Sequence, residues 1–69
     1  NEQFIVVSKT YNNEKIYILM NASPKMSYEY DYSILGDVKP ITELCATGVC
    51  EKINETTIKI PEQGILILR

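Results

Sequence analysis

Nineteen of the 69 residues are branched at Cβ, ten Ile, four Val and five Thr, against nine Ala, Leu and Met together. Branching at Cβ restricts χ1 on a helix and packs well on a pleated sheet, so this bias drives the chain towards strands. No stretch carries a capped apolar stripe at i, i+3, i+4 and i+7 that is not better read as strand. Helix content is therefore expected to be near zero. The length allows one small domain that buries roughly 60% of the surface its unfolded chain exposes.

The apolar pattern predicts where the strands lie. Gln3 to Thr10 opens with apolar residues on both faces and becomes one-sided towards its end, and Tyr11-Asn12-Asn13-Glu14 is a hairpin turn, because Asn tolerates the left-handed backbone. Lys15 to Asn21 answers it, with Ile16, Ile18 and Met20 on one face and Tyr17 and Leu19 on the other. A strand apolar on both faces is expected at the centre of its sheet or covered on both sides. Ala22-Ser23-Pro24-Lys25 breaks the pattern, and Met26 to Ser33 then alternates, with Met26, Tyr28, Tyr30 and Tyr32 sharing a face. Ile34 to Asp37 reads as a turn. Val38 to Leu44 carries Pro40, which confines it to an edge or an irregular strand.

Cys45 to Cys50 is a turn centred on Thr47-Gly48, Ile53 belongs to a short return strand, and Asn54-Glu55 turns the chain again. Thr56 to Ile60 points Ile58 and Ile60 inward, Pro61-Glu62-Gln63-Gly64 is a tight turn, and Ile65 to Leu68 closes the fold buried on both faces. Six or seven short strands with turns every 8 to 12 residues predict an all-β, antiparallel sandwich.

Several chemistries are excluded. The chain has no His, hence no Ser-His-Asp or Cys-His nucleophile and no His-ligated metal. Seven basic and nine acidic residues, well mixed, offer no phosphate-reading surface for nucleic acid. Apolar runs such as Ile65 to Leu68 fall far short of the roughly 20 residues of a membrane span. The chain opens on Asn1 with no leader pattern, and is expected to be a fragment cut from a longer protein.

Four groups of residues carry candidate chemistry. Tyr28, Tyr30 and Tyr32 on alternate positions either stack on sugar rings or cover a small core. Glu29 and Asp31 lie roughly 7 Å apart on one strand face, a spacing that could serve glycosidic acid/base work, but on the polar face of an amphipathic strand with no predicted cleft they read as solvated surface. Cys45 and Cys50, five apart across a turn, close a hairpin disulfide if their Cα atoms approach within about 7 Å, and otherwise remain small apolar thiols. Two soft ligands do not make a structural zinc site, and no metal is expected. Asn21-Ala22-Ser23 and Asn54-Glu55-Thr56 match the glycosylation sequon, a pattern common by chance.

The order of features resembles the C-terminal β domain of the alpha-amylase superfamily (glycoside hydrolase family 13-like). The hairpin Asn12-Asn13-Glu14-Lys15 with Ile16-Tyr17-Ile18-Leu19-Met20-Asn21 resembles the opening "ekvlvvlN" of that domain. Ile41-Thr42-Glu43-Leu44-Cys45-Ala46-Thr47-Gly48 is similar to its "y-x-D-L-L-T-G" segment, and Thr57 to Leu68 to its closing "v-x-l-P-p-x-G-x-x-i-L". Cys45 and Cys50 stand outside the family pattern. The resemblance implies a Greek-key β-sandwich, one domain over residues 1–69, packed against the catalytic (β/α)₈ barrel of the same parent chain. That barrel carries the nucleophile Asp, the acid/base Glu and a second Asp and acts on α-glucans. None of those motifs occurs here, so the chain alone is expected to be non-catalytic, with no cofactor.

Three readings follow. The chain is an accessory domain that stabilises the barrel, which predicts an apolar sandwich face or edge left uncovered. Alternatively, it is an independent carbohydrate-binding module using Tyr28, Tyr30 and Tyr32 on an α-glucan, or a small extracellular interaction domain held by a Cys45–Cys50 disulfide. The compartment stays open.

Overall fold

A computed structural model describes residues 3–46 and 48–69. Seven strands form two antiparallel sheets: β1 (Phe4–Tyr11), β2 (Glu14–Asn21), β3 (Tyr28–Asp31), β4 (Pro40–Leu44), β5 (Glu51–Lys52), β6 (Thr57–Ile60) and β7 (Ile65–Leu68). The first sheet runs β1-β2-β7-β4 and the second β3-β6-β5. Connections cross between the sheets after β2, β3, β4 and β6, and β7 returns to lie between β2 and β4. The result is the all-β antiparallel sandwich that the β-branched composition demands. Among the described residues no helix is long and apolar enough to cross a membrane.

The turns form where their residues supply the backbone. Asn12 and Asn13 adopt φ of 50° and 65°, giving a two-residue hairpin that sets Tyr11 opposite Glu14. In the β6–β7 turn Gln63 takes φ of 57°, and the Gly64 N–H donates to the Pro61 carbonyl at 3.0 Å. A Cβ on Gly64 would stand 3.0 Å from both the Ile60 side chain and the Pro61 carbonyl oxygen, so a larger residue there requires its neighbours to give way by a few tenths of an ångström. Gly48 has the positive φ of 72° expected of a turn residue; Thr47, the other half of that expected turn centre, lies outside the described residues.

Two expectations shift. The strand expected over Met26 to Ser33 is confined to Tyr28–Asp31. Before it, Ser23 Oγ accepts the Met26 N–H at 3.0 Å and holds a loop; after it, the Asp31 carboxylate accepts the Ser33 N–H at 3.0 Å and its hydroxyl at 2.7 Å. That local acceptor turns Tyr32–Leu35 into a single 3₁₀ turn. The return strand expected at Ile53 forms one step earlier, at Glu51–Lys52. Asn54 Oδ1 instead accepts the N–H groups of Thr56 and Thr57 at 3.0 and 2.9 Å, closing the turn there. The second strand, apolar on both faces, lies between β1 and β7 as expected, and β1 forms the edge of the sheet.

The core lies between the sheets. Leu19, Leu66 and Leu68 descend from the first sheet onto Ile58 and Ile60 of the second, with Tyr32 closing one end. Buried among them, Asn21 ends β2 as the most connected polar side chain. Its Nδ2 donates to the carbonyls of Met26, Ile60 and Pro61 at 2.9, 3.0 and 3.1 Å, and its Oδ1 accepts the Ser23 N–H at 3.1 Å. These bonds join the end of one sheet to the end of the other.

Replacing Asn21 by Ala removes its amide donor from the Met26 and Ile60 carbonyls and its acceptor from the Ser23 N–H, while the Pro61 carbonyl keeps the Gly64 N–H. Each buried group left unpaired costs about 1–3 kcal/mol, so Asn21→Ala is expected to lower the unfolding free energy by about 2–4 kcal/mol, seen as a lower urea midpoint at unchanged slope. A second outcome concerns acid. Hydrogen bonds from the Ser33 side chain and backbone, with Thr56, hold the Asp31 carboxyl below its ordinary value. The stabilisation is therefore complete above the unfolded value of about 3.9 and is lost as pH falls through the folded one. The gap in urea midpoint between the parent chain and Asp31→Asn is expected to be constant near neutrality and to shrink below about pH 4.

Candidate functional site

Strand register sorts the residues of the first sheet onto two faces. Phe4, Val6 and Ser8 pair with Asn21, Leu19 and Tyr17, which in turn lie beside Leu66 and Leu68; these face the core. The opposite face carries two rows across all four strands. One row is Val7, Ile18, Ile67 and Thr42, and the other is Ile5, Met20, Ile65 and Leu44, with Ile16 beside them. Nothing in the described chain covers these side chains. Ile5, Val7 and Leu44 are 43%, 40% and 63% exposed, while Ile16, Ile18, Met20, Ile65 and Ile67 are half-buried by one another. The closing strand, expected to be buried on both faces, is buried on one only: Leu66 and Leu68 are enclosed, and Ile65 and Ile67 belong to this open face. Periodicity shows that both sides of β7 are apolar; among the described residues nothing covers the second side.

The outer face of the second sheet is unlike it. Glu29 lies opposite Lys59, and Lys59 opposite Glu51, with a 4.0 Å ion pair between the last two. One broad face of the molecule is thus charged and solvated, and the other is apolar. A monomeric domain rarely leaves a contiguous apolar face of this kind in water, which makes the face the candidate contact surface.

The tyrosines are placed by the same register. Tyr28 and Tyr30 lie opposite Ile60 and Ile58, on the core side of the second sheet. Phe4 stacks on Tyr28 with centroids 4.2 Å apart and planes 15° apart, and meets Tyr30 at 5.2 Å. Burial, and then the neighbouring Tyr28 and Asp31, raise the Tyr30 phenol above its ordinary value. Tyr32 has left the strand for the 3₁₀ turn, is 7% exposed, and donates its hydroxyl to the Glu55 carbonyl at 3.0 Å. The three rings do not share a plane of presentation. Glu29 and Asp31 do not converge on a cleft either, since Glu29 is exposed beside Lys59 and Asp31 caps the 3₁₀ turn with its carboxyl pushed down, away from a proton donor's range. A recess of about 540 Å³ lined by Asp37, Lys39, Lys52 and Glu55 mixes both charges and holds no paired acid and base.

Cys45 and Cys50 are half-buried free thiols with their sulfurs 4.0 Å apart. Glu43, absent from the sequence-level candidates, joins them. Its Oε2 accepts the Cys50 N–H at 2.7 Å and lies 3.7 Å from Cys45 Sγ, which donates to it. Burial first, then the adjoining Cys45 and Glu43, push the Cys50 thiol up to about 12. Its signal in the sequence was the Glu-x-Cys spacing; the approach of Cys50 required the β4–β5 crossover. Of the two sequons, Asn21 is fully engaged in the core and Asn54 is exposed in a turn.

No family model matches the chain, and no curated protein matches its sequence. A search of solved structures does find a likeness over nearly all of it. The chain is similar to part of Eubacterium rectale Amy13B, with a TM-score of 0.83 and 26% identity over 99% of this chain, and it spans 13% of the length of that protein.

Proposed function

We propose that this chain is a non-catalytic, C-terminal-type accessory domain of an amylase-like glycosidase, which packs on and stabilises the catalytic body of an enzyme acting on α-glucans. The apolar outer face of the first sheet carries this reading. Its occupant is the remainder of a longer polypeptide, because the matched fold is a small part of a much larger chain whose name marks an amylase. The face fits that role chemically. Its branched side chains are stiff, so little rotamer freedom is lost on covering them. Each half-exposed Ile, Val or Met that is covered contributes about 1 kcal/mol.

The catalytic part would lie elsewhere in the parent. Among the described residues no carboxylate pair flanks a cleft, and the sequence has no His. The stacking of Phe4 on Tyr28 and the burial of Tyr32 support a core role for the tyrosines over a sugar platform.

Two outcomes test the reading. In the isolated chain, Ile5→Lys with Val7→Lys is expected to change stability by less than about 1 kcal/mol, because both positions already face water; binding of a hydrophobic dye falls. In the product of the full reading frame, which is expected to hydrolyse soluble starch, the same pair lowers the melting temperature by several degrees. An inactive full-length product, or equal effects in both contexts, overturns the proposal. Maltooligosaccharide titration of the isolated chain, followed by backbone NMR shifts, is expected to perturb nothing; shifts centred on Tyr28 and Tyr30 would favour the binding-module reading instead.

A further inference from the structure

Apart from the apolar face, the cluster at the β4–β5 crossover brings two sulfur donors and one carboxylate oxygen together. Glu43 Oε2, Cys45 Sγ and Cys50 Sγ all lie within 4.8 Å of one another. We infer that this cluster is a binding site for a borderline-soft divalent cation of the zinc class, held by two thiolates and one carboxylate, with a fourth position open to solvent.

The geometry is that of a chelate edge. With metal–sulfur bonds of about 2.3 Å and metal–oxygen bonds of about 2.0 Å, a tetrahedral site has sulfur–sulfur edges of about 3.8 Å and sulfur–oxygen edges of about 3.5 Å. The corresponding separations here are 4.0 Å between the sulfurs and 3.7 Å from Cys45 Sγ to Glu43 Oε2. Small side-chain rotations suffice to close on an ion. The carboxylate is already oriented, because the Cys50 N–H holds Oε2 at 2.7 Å. A dithiol pair built only for a disulfide needs no such third group. Thiolate donors select zinc-class ions over magnesium or calcium, which prefer all-oxygen shells.

The balance is simple. The two thiol protons leave to solvent, the ion takes two thiolates and one carboxylate, and a water keeps the fourth position. Nothing is oxidised or reduced. The bound ion would join the end of β4 in the first sheet to the start of β5 in the second, against Gly64 of the β6–β7 turn, whose backbone lies beside Cys45 Sγ. Its role would be to brace that corner.

Co²⁺ serves as the spectroscopic probe for the reduced chain. The expected result is one ion per chain, a thiolate-to-metal charge-transfer band and the intense visible bands of tetrahedral cobalt, all displaced by Zn²⁺. Cys45→Ser and Cys50→Ser each weaken the charge-transfer band and lower affinity, and Glu43→Gln lowers affinity at least about tenfold. In the unaltered chain, where folding is not at issue, Zn²⁺ is expected to raise the melting temperature and to protect both thiols from alkylation. A spectrum that stays octahedral at millimolar Co²⁺, one ion shared by two chains, or oxidation to an internal disulfide in air despite equimolar Zn²⁺ would each overturn the inference.

Discussion

The position of Asn21 is the constraint on which the sandwich depends. Two sheets joined only by apolar contacts could slide over one another, since dispersion and area burial have no direction. The Asn21 amide removes that freedom. It reaches from the last residue of β2 to the carbonyls that end β6, across 39 and 40 positions of sequence, and to the Met26 carbonyl in the loop leading to β3. Hydrogen bonding there is compulsory, because a buried amide without partners is costly. The Leu19–Leu66–Ile60 packing is therefore held in a single alignment, and the β6–β7 turn is set where β7 can enter beside β2.

That alignment produces the asymmetry on which the proposed function rests. Once Leu19, Leu66 and Leu68 are committed inward, the period of two sends Ile18, Met20, Ile65 and Ile67 outward, without choice. A shift by one residue would bury those and expose the leucines, and would also break the Asn21 contacts. The second sheet follows the same rule with opposite chemistry, its outward positions being Glu29, Lys59 and Glu51. The molecule thus has a face suited to water and a face suited to another protein surface.

Much of this was legible from residue order. The Asn12-Asn13 hairpin, the irregular edge strand at Pro40 and the inward Ile58 and Ile60 follow from local backbone chemistry and alternation, and all form as those patterns require. The failures share a cause. Met26 to Ser33 alternates over eight residues, yet Asp31 offers the Ser33 N–H a nearer acceptor than any neighbouring strand, and the ladder ends there. Tyr32 consequently belongs to the core by way of a 3₁₀ turn and not by way of its strand parity. For β1 and β7, alternation cannot distinguish a side covered by the same chain from one that awaits another surface. The meeting of Glu43 with Cys50 is likewise invisible at that level, because it depends on a change of sheet between them.

The order of strands has a kinetic consequence. Only β1 can pair with β2 early; its other neighbour, β7, joins Met20 to Ile65 across 45 positions. Closing so long a loop must precede the contacts that reward it, which places this small domain among slow, non-local folders. During synthesis the β1–β2 hairpin would emerge with both its apolar sides bare and wait for nearly the whole chain before either β7 or the second sheet could reach it. On the function proposed above, a catalytic body synthesised earlier would offer the hairpin a surface to rest on during that interval.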